Sequence, residues 1–451
     1  MGRGVSRIGR SVHNTPIITS VEETAGGMPA VISAWKHGVS KMGLVGSAVS
    51  LSKANQTNGF DCPGCAWPDP KHRSPFEYCE NGAKAIADEA TIKTIPDTFW
   101  KENSIHALGR RSDRWLNSQG RLSRPMILEK GSSHYVPLDW DRAIGIIAKT
   151  LNALKDPNDA YFYTSGRASN EAAYLWQLLA RQYGTNNLPD CSNMCHESSG
   201  VALNESIGIG KGTVRLEDFD KADLIVVVGQ NPGTNHPRML SALKSAKKSG
   251  ASILSINPLK ETGMRRFRHP QSPIDMLGAG TQISDDHVDI KVNGDMALFR
   301  AIGSIILDKG VHDMDFINLN TTGFLDYANI ARAVDWGLTE DLTGQSRDRI
   351  YEISDYFCRS KRTIVCWAMG ITQHKNSVNT IREIMNVLLL KGDIGREGSG
   401  PCPVRGHSNV QGDRTVGITH APGKFFLEKL SKEFEINIPP EHGADSVNAV
   451  M

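Results

Sequence analysis

Residues 223–258 read DLIVVVGQNPGTNHPRMLSALKSAKKSGASILSINP, and their pattern decides the fold. Leu224 to Val228 is an unbroken apolar run of strand length, the signature of a strand buried on both faces. A polar, glycine-bearing turn follows, then a helical stretch, then Gly250 and a second run from Ala251 to Ile256. Strand, helix and parallel strand in this order make a βαβ unit. Sheets built from such units bind ligands at the carboxyl ends of their strands. The alternation extends outward in both directions. Upstream, Asp139 is placed to cap a helix whose apolar face includes Ile144, Ile147 and Leu151. Asp159 to Thr164 reads as a strand, Glu171 to Tyr183 as an amphipathic helix stopped by Gly184, and Ser198 to Ile207 as a helix of small residues. Downstream, strand patterns at His287–Val292 and Arg362–Ala368 alternate with helical ones at Met296–Leu307 and Val378–Lys391. The expected class is α/β, with several domains built on Rossmann-like parallel sheets.

The chain has 451 residues, which at about 150 per domain implies roughly three. Its 51 Lys and Arg balance 49 Asp and Glu, so the basic excess of a nucleic-acid-coating protein is missing. Eight cysteines over this length are too sparse for a disulfide framework. The basic start, MGRGVSRIGRSVHNTP, is followed by no apolar signal core, and no apolar run approaches membrane-spanning length. These features predict a soluble protein of a reducing compartment, cytoplasmic and without a membrane segment. Residues 1 to about 58 are rich in Gly, Ser and Thr and read as an extended or loosely packed lead-in. Residues 107–139 read as short extended pieces between turns. At the other end, Ala444, Asp445 and Ser446 read as a helix start whose apolar stripe, Val447 and Val450, is cut off at Met451.

Three segments carry chemistry. Cys62 and Cys65 stand two residues apart, a spacing that lets two thiolates face one metal centre. Cys79 follows after thirteen residues, with Asp69 and His72 as further ligand candidates. The spacing itself admits zinc, an iron–sulfur cluster, or a buried, inert Cys79. The turn Gly229–Pro237 offers free N–H groups at a helix start, with Asn231, Thr234 and Asn235 beside them, a setting for a phosphate- or ribose-bearing ligand. It lacks the Gly-x-Gly-x-x-Gly fingerprint of a simple nicotinamide site. Finally, Cys195 followed by His196 near a helix start is expected to have a lowered thiol pKa, nucleophilic or metal-ligating.

Four segments together resemble the molybdopterin oxidoreductase family, in particular its formate-dehydrogenase-like alpha-subunit subgroup. They are GFDCPGCAWPDP, NMCHESSGVALNESIGIGKGTV, ADLIVVVGQNPGTNHPRM and the long run from Cys366 to Gly412, in the family's order across about residues 55–412. The resemblance implies a molybdenum-dependent oxidation of a small oxyanion such as formate at a bis-molybdopterin guanine dinucleotide centre. It assigns Cys195 as the molybdenum ligand and His196 as the acceptor of the substrate proton. Gln230, Asn231, Thr234, Asn235 and Asn257 fall in dinucleotide-holding loops, and Gly370, Gln373, Arg405, Asn409 and Gln411 in segments that wrap the pterins. Cys62 and Cys65 fall at the first two ligands of a [4Fe-4S] cluster that passes electrons to a protein partner. Lys84 falls near the lysine that bridges cluster and pterin, at an altered distance from Cys79.

The family pattern divides the chain into an iron–sulfur-type domain with its lead-in at 1–105, a Rossmann-like dinucleotide domain at 139–289, and a discontinuous pterin domain at 106–138 and 290–451. Its C-terminal β-barrel domain is then absent. Two further departures stand out. Asp69 occupies the third cysteine position and Cys79 arrives early, which leaves open an aspartate-ligated cluster or none. Glu197 and Ser198 replace the Gly-Pro that commonly follows the Cys-His pair. The competing readings are a zinc-containing dinucleotide enzyme, with zinc on Cys62, Cys65, Cys79 and His72, and a truncated non-catalytic fragment.

Overall fold

The computed structural model describes residues 22–451. Its centre is a five-stranded, all-parallel sheet of β1 (Leu224–Val228), β2 (Ser252–Ile256), β3 (Asp286–Val288), β4 (Thr363–Trp367) and β5 (Gly400–Pro403), in the order β5-β4-β1-β2-β3. The βαβ unit read from residues 223–258 is therefore the middle of the sheet. Strands from both sides of residue 289 share it, although the sequence pattern divides two α/β units there.

Alternation across the pleat explains why β1 and β4 carry no polar positions in their middles. Leu224, Val226, Val228, Val365 and Trp367 face one core, packed by α-helices on that side. Ile225, Val227, Ile364 and Cys366 face the other, against Leu240 and Leu243 of the crossover helix Met239–Lys248. All five residues of each strand are buried.

Six helices matter for the site. Within the expected loose lead-in, Gly27 to Lys53 instead form α1, kinked at Gly43, whose φ is 70°. The kink folds the helix back so closely that a Cβ on Gly38 would lie 3.0 Å from Ser47 Oγ. Small residues permit that approach, and the same smallness erases the amphipathic period. Of the expected lead-in, residues 1–21 lie outside the described region. The kinked helix packs on α2 (Glu80–Glu89), burying Ala34, Met42 and Leu51 against Ala83, Ile86 and Ala87. α3 (Cys191–Cys195) and α4 (Glu197–Ile207) follow one another at His196, and α5 (Asp295–Asp308) and α6 (Ser377–Leu390) cover the sheet. Asp159–Thr164 is not a strand of any sheet. It runs extended beside residues 187–190, joined by Phe162 N–H to Asn187 O at 2.9 Å and a single bridge at Thr164. The helix expected at the end forms as Ser446–Val450, capped by the Asp445 side chain.

The strand order reverses between β1 and β4, which makes the space beyond their carboxyl ends the switch point of the sheet. There Gly370 N–H donates to Gly229 O at 3.0 Å. Gly229 has φ 58°, and a Cβ on Gly370 would lie 2.5 Å from Gly229 O. Since the obstructing atoms are backbone, Gly370→Ala is expected to destabilise the fold by about 1–3 kcal/mol. Gly145→Ala, in an exposed helix with open space around it, should be neutral or stabilising by up to about 1 kcal/mol. Urea midpoints of the two variants check this contrast.

Candidate functional site

A cleft of about 850 Å³ opens at the switch point. Its walls bring together Cys62, Cys65, Asp69, Cys79 and Lys84 from the N-terminal segment with Cys195, Thr234, Asn235 and Gln373 from the α/β body. Residues as far apart in sequence as Cys62 and Gln373 thus meet at one cleft. Arg167, Cys191, Arg238 and His407 line it too.

Cys195 owes its position to local capping and to two neighbouring loops. Asp190 caps α3 and forms a reciprocal pair with Asn193, and Arg414 holds Asp190 through both carboxylate oxygens at 2.8 and 3.0 Å. Cys191 and Cys195 stand four positions apart, so both thiols fall on one helical face. The loop after β4 fixes the helix end: Thr372 Oγ1 donates to Cys195 O at 2.6 Å and Gln373 Nε2 to Met194 O at 3.2 Å. The Gly406 N–H acts on the Cys195 thiol in the direction that favours its thiolate.

The expected lowering of this thiol's pKa is not found. Burial pushes Cys195 up, outweighing the Gly406 N–H, and pushes Cys191 up to about 11. Cys195 ends α3 at the negative pole of the helix, so the field of α3 adds nothing to offset the lost hydration.

The adjacent His196 also departs from expectation. It lies outside the main cleft, with both ring nitrogens engaged. Nε2 donates to Val404 O at 3.0 Å, which leaves Nδ1 to accept from Ser199 Oγ at 2.9 Å, and Ser199 in turn accepts from Trp367 Nε1. Burial, then the charge of Arg405, holds His196 down to about 3. It is held neutral with both ring nitrogens in hydrogen bonds and faces away from the main cleft. His236 makes a parallel bond, Nε2 to Arg405 O at 2.9 Å. Two buried, neutral histidines therefore clamp successive carbonyls and aim the next residue, Gly406, at Cys195.

The dinucleotide-loop residues separate into two sets. Thr234 and Asn235 line the cleft, whereas Gln230 is buried against His236 and Met239. Asn257 Nδ2 donates to Asn231 Oδ1 at 2.5 Å, tying the loops after β1 and β2 together. Gly370 contributes backbone contact, and Asn409 is occupied by Ala168 O and Asn170. Arg405 and Gln411 line a second, smaller cleft of about 390 Å³ on the far side of α3, along with Ser192 and His196. Arg405 Nε and Ser192 Oγ are buried there without a hydrogen-bond partner.

In the N-terminal segment, a Cβ on Gly82 would lie 2.9 Å from the Cys62 sulfur and 3.7 Å from that of Cys79, so these thiols share one corner of the cleft. Burial raises both, Cys79 to about 12. Asp69 on the cleft wall is paired with Arg238, which bridges Asp69 at 2.7 Å and Glu77 at 2.8 Å in a largely buried triad. Lys84 pairs with Asp88 at 2.7 Å on α2. His72 is exposed and absent from the cleft wall. Among the described residues, no group of three or more His, Cys, Asp or Glu side chains is set to hold a metal ion.

Sequence reasoning missed Arg167 and His407. Arg167 makes no ion pair among the described residues, and His407 Nδ1 has no hydrogen-bond partner. Neither stands in a motif that the chemistry of spacing alone picks out. No described helix is long and apolar enough to cross a membrane.

A molybdopterin oxidoreductase family model matches residues 121–441. An uncharacterized oxidoreductase of Mycobacterium bovis is 50% identical over 94% of this chain and 56% of its own length. Protein YdeP of Escherichia coli is 44% identical over 95% of the chain and 58% of its own length. A putative formate dehydrogenase of Staphylococcus aureus is 28% identical, covering 83% of this chain and 38% of that protein. The chain thus spans little more than half the length of the first two. Acetylene hydratase from Pelobacter acetylenicus shares the fold, with a TM-score of 0.51 at 17% identity over 60% of this chain and 35% of that one.

The raised thiols make a direct prediction. In cofactor-free protein near pH 8, alkylation of Cys191 by iodoacetamide should run about a hundredfold slower than for an ordinary cysteine thiol, because burial leaves far less of it as thiolate. Cys195 should be slowed in the same direction. Peptide mass spectrometry over time measures both.

Proposed function

The chain belongs to the molybdopterin oxidoreductase family, and on that premise we propose that it forms the cofactor-holding part of a molybdenum-dependent oxidoreductase of formate-dehydrogenase type. The observation that carries this reading is the Cys195 thiol, which opens under the Gly406 N–H into the cleft at the switch point, near the unpaired cation Arg167.

The family implies a molybdenum–pterin cofactor, and the donors present fit one. Soft thiolate ligation from Cys195 suits the metal. Thr234, Asn235 and Gln373 line the main cleft as holders of one pterin guanine dinucleotide. The orphaned Arg405 Nε and Ser192 Oγ, with Gln411, face the smaller cleft and offer donors to the second. Gln230, Asn231, Asn257, Gly370 and Asn409 serve as the frame behind those contacts. When bound, the metal centre supplies two-electron exchange with the substrate, and the protein supplies binding and orientation.

The residues of the cleft support a small anion as the substrate. Lys84 and Arg238 are already neutralised by carboxylates, so Arg167 is the cation left to orient a carboxylate such as formate. His407, with its Nδ1 unengaged and burial holding it below the ordinary histidine value, takes the proton-accepting role that His196 is not placed to fill.

A [4Fe-4S] cluster does not fit the residues present. Of the five thiols that line the cleft, only Cys62, Cys65 and Cys79 lie in the N-terminal segment, Asp69 is paired with Arg238, and no group of three or more His, Cys, Asp or Glu side chains among the described residues is set to hold a metal. The electron acceptor, a partner protein among the candidates, is therefore reached by a route other than a four-cysteine cluster.

Elemental analysis of the full-length protein for Mo, W, Fe and Zn, with pterin fluorescence after oxidation, tests the assignment. We expect molybdenum or tungsten with pterin, formate-dependent dye reduction, and loss of activity in Cys195→Ala. Arg167→Ala should raise KM about tenfold, and His407→Ala should lower kcat by about 10²–10⁴. Protein purified with neither metal nor pterin would sink the reading.

A further inference from the structure

A second charged cleft, of about 650 Å³, lies at the β2–β3 edge of the sheet and shares no wall residue with the thiol cleft. Lys260, Arg265, Arg266 and Arg268 all line it. The short strand Arg266–Arg268 pairs with Thr281–Gln282 on one side and Ala25–Gly26 on the other. Side chains alternate along a strand, so Phe267 enters the core while Arg266 and Arg268 share the opposite face.

Charge bookkeeping leaves these cations uncompensated. Asp285 and Asp286, also on the wall, are paired with Lys247 and Arg349 from outside it. Among the described residues, none of the four cations makes an ion pair, and Glu23 at the rim is exposed. Residues 1–21 contain no Asp or Glu that could neutralise the site. Arg265 and Arg268 each keep a buried Nε–H without an acceptor. A buried guanidinium donor left unpaired is costly, and three guanidinium forks around one space match the oxygen geometry of phosphate groups.

We propose that this cleft binds a small anion carrying two or more phosphate groups. Four positive charges exceed what a single phosphate needs, and the volume accommodates a di- or triphosphate. The wall of the site includes none of Thr234, Asn235 and Asn257, although Lys260 lies in the same loop as Asn257. Nor does it depend on the metal centre.

Titration of the full-length protein with inorganic pyrophosphate, followed by calorimetry, tests the proposal. Binding should be saturable, should weaken as ionic strength rises, and should fall about tenfold or more in the Arg266→Gln/Arg268→Gln double variant with the thermal midpoint unchanged. If that variant does not fold, Lys260→Gln, an exposed position, should still weaken binding several-fold. Absence of binding at millimolar pyrophosphate, equal affinity in the variants, or preference for a glutamate-rich peptide over pyrophosphate would each overturn it.

Discussion

The site depends on two glycine backbones lying against each other, Gly229 after β1 and Gly370 after β4. The strands end level, with Val228 opposite Trp367, and their chains must then part because β2 and β5 lie on opposite sides of them. With no Cβ on either residue, the parting begins at backbone contact. One loop then carries Thr234 and Asn235 to the cleft, and the other carries Thr372 and Gln373 to the end of α3. A side chain at either glycine would separate the two loops at their root and move both sets together.

From that root, positioning passes through hydrogen bonds that require neutral histidines as donors through one nitrogen only. His236 and His196 hold the Arg405 and Val404 carbonyls, and their low pKa values follow from the same burial that makes the bonds strong. A protonated imidazole at 196 would place two donors against Ser199 and Val404, beside the charge of Arg405. The tautomer that keeps the clamp closed is thus the one the surroundings enforce. The clamp carries the register of β5 into Gly406 and so to the sulfur of Cys195.

Sequence periodicity revealed those elements whose burial is one-sided or complete, which is why β1, β2, β4 and the covering helices were readable from alternation alone. It was blind to α1, where close approach of two helical arms selects small residues and removes the apolar stripe. The cleft membership of Cys62, Cys65, Cys79, Cys195, Thr234 and Asn235 was readable because each sits in a motif with fixed spacing. The role of His196 was not. At 196 the backbone leaves the helix with φ −136° and ψ 22°, so neighbours in sequence face different spaces. Arg167 and His407 gained significance only from lacking partners, a property that no single sequence position displays. Asp69 shows the converse: a ligand-type residue whose charge is spent on Arg238, 169 positions away.

Arg238 also explains how a cysteine-bearing segment so poor in hydrophobic core stays docked. The segment Gln230–Arg238 bonds in every direction: Asn231 to Asn257, Thr234 to Glu261, Thr234 O to Asn81, His236 to Arg405, and Arg238 to Asp69 and Glu77. The same nine residues that end a buried strand therefore anchor the thiol segment, the Cys195 loop and the second strand loop. Opening a largely buried ion pair by removing one partner costs about 3–5 kcal/mol, more than the small Ala34–Leu51 cluster can readily replace. Arg238 thus gives Asp69 a structural role in docking the segment, at a position on the cleft wall.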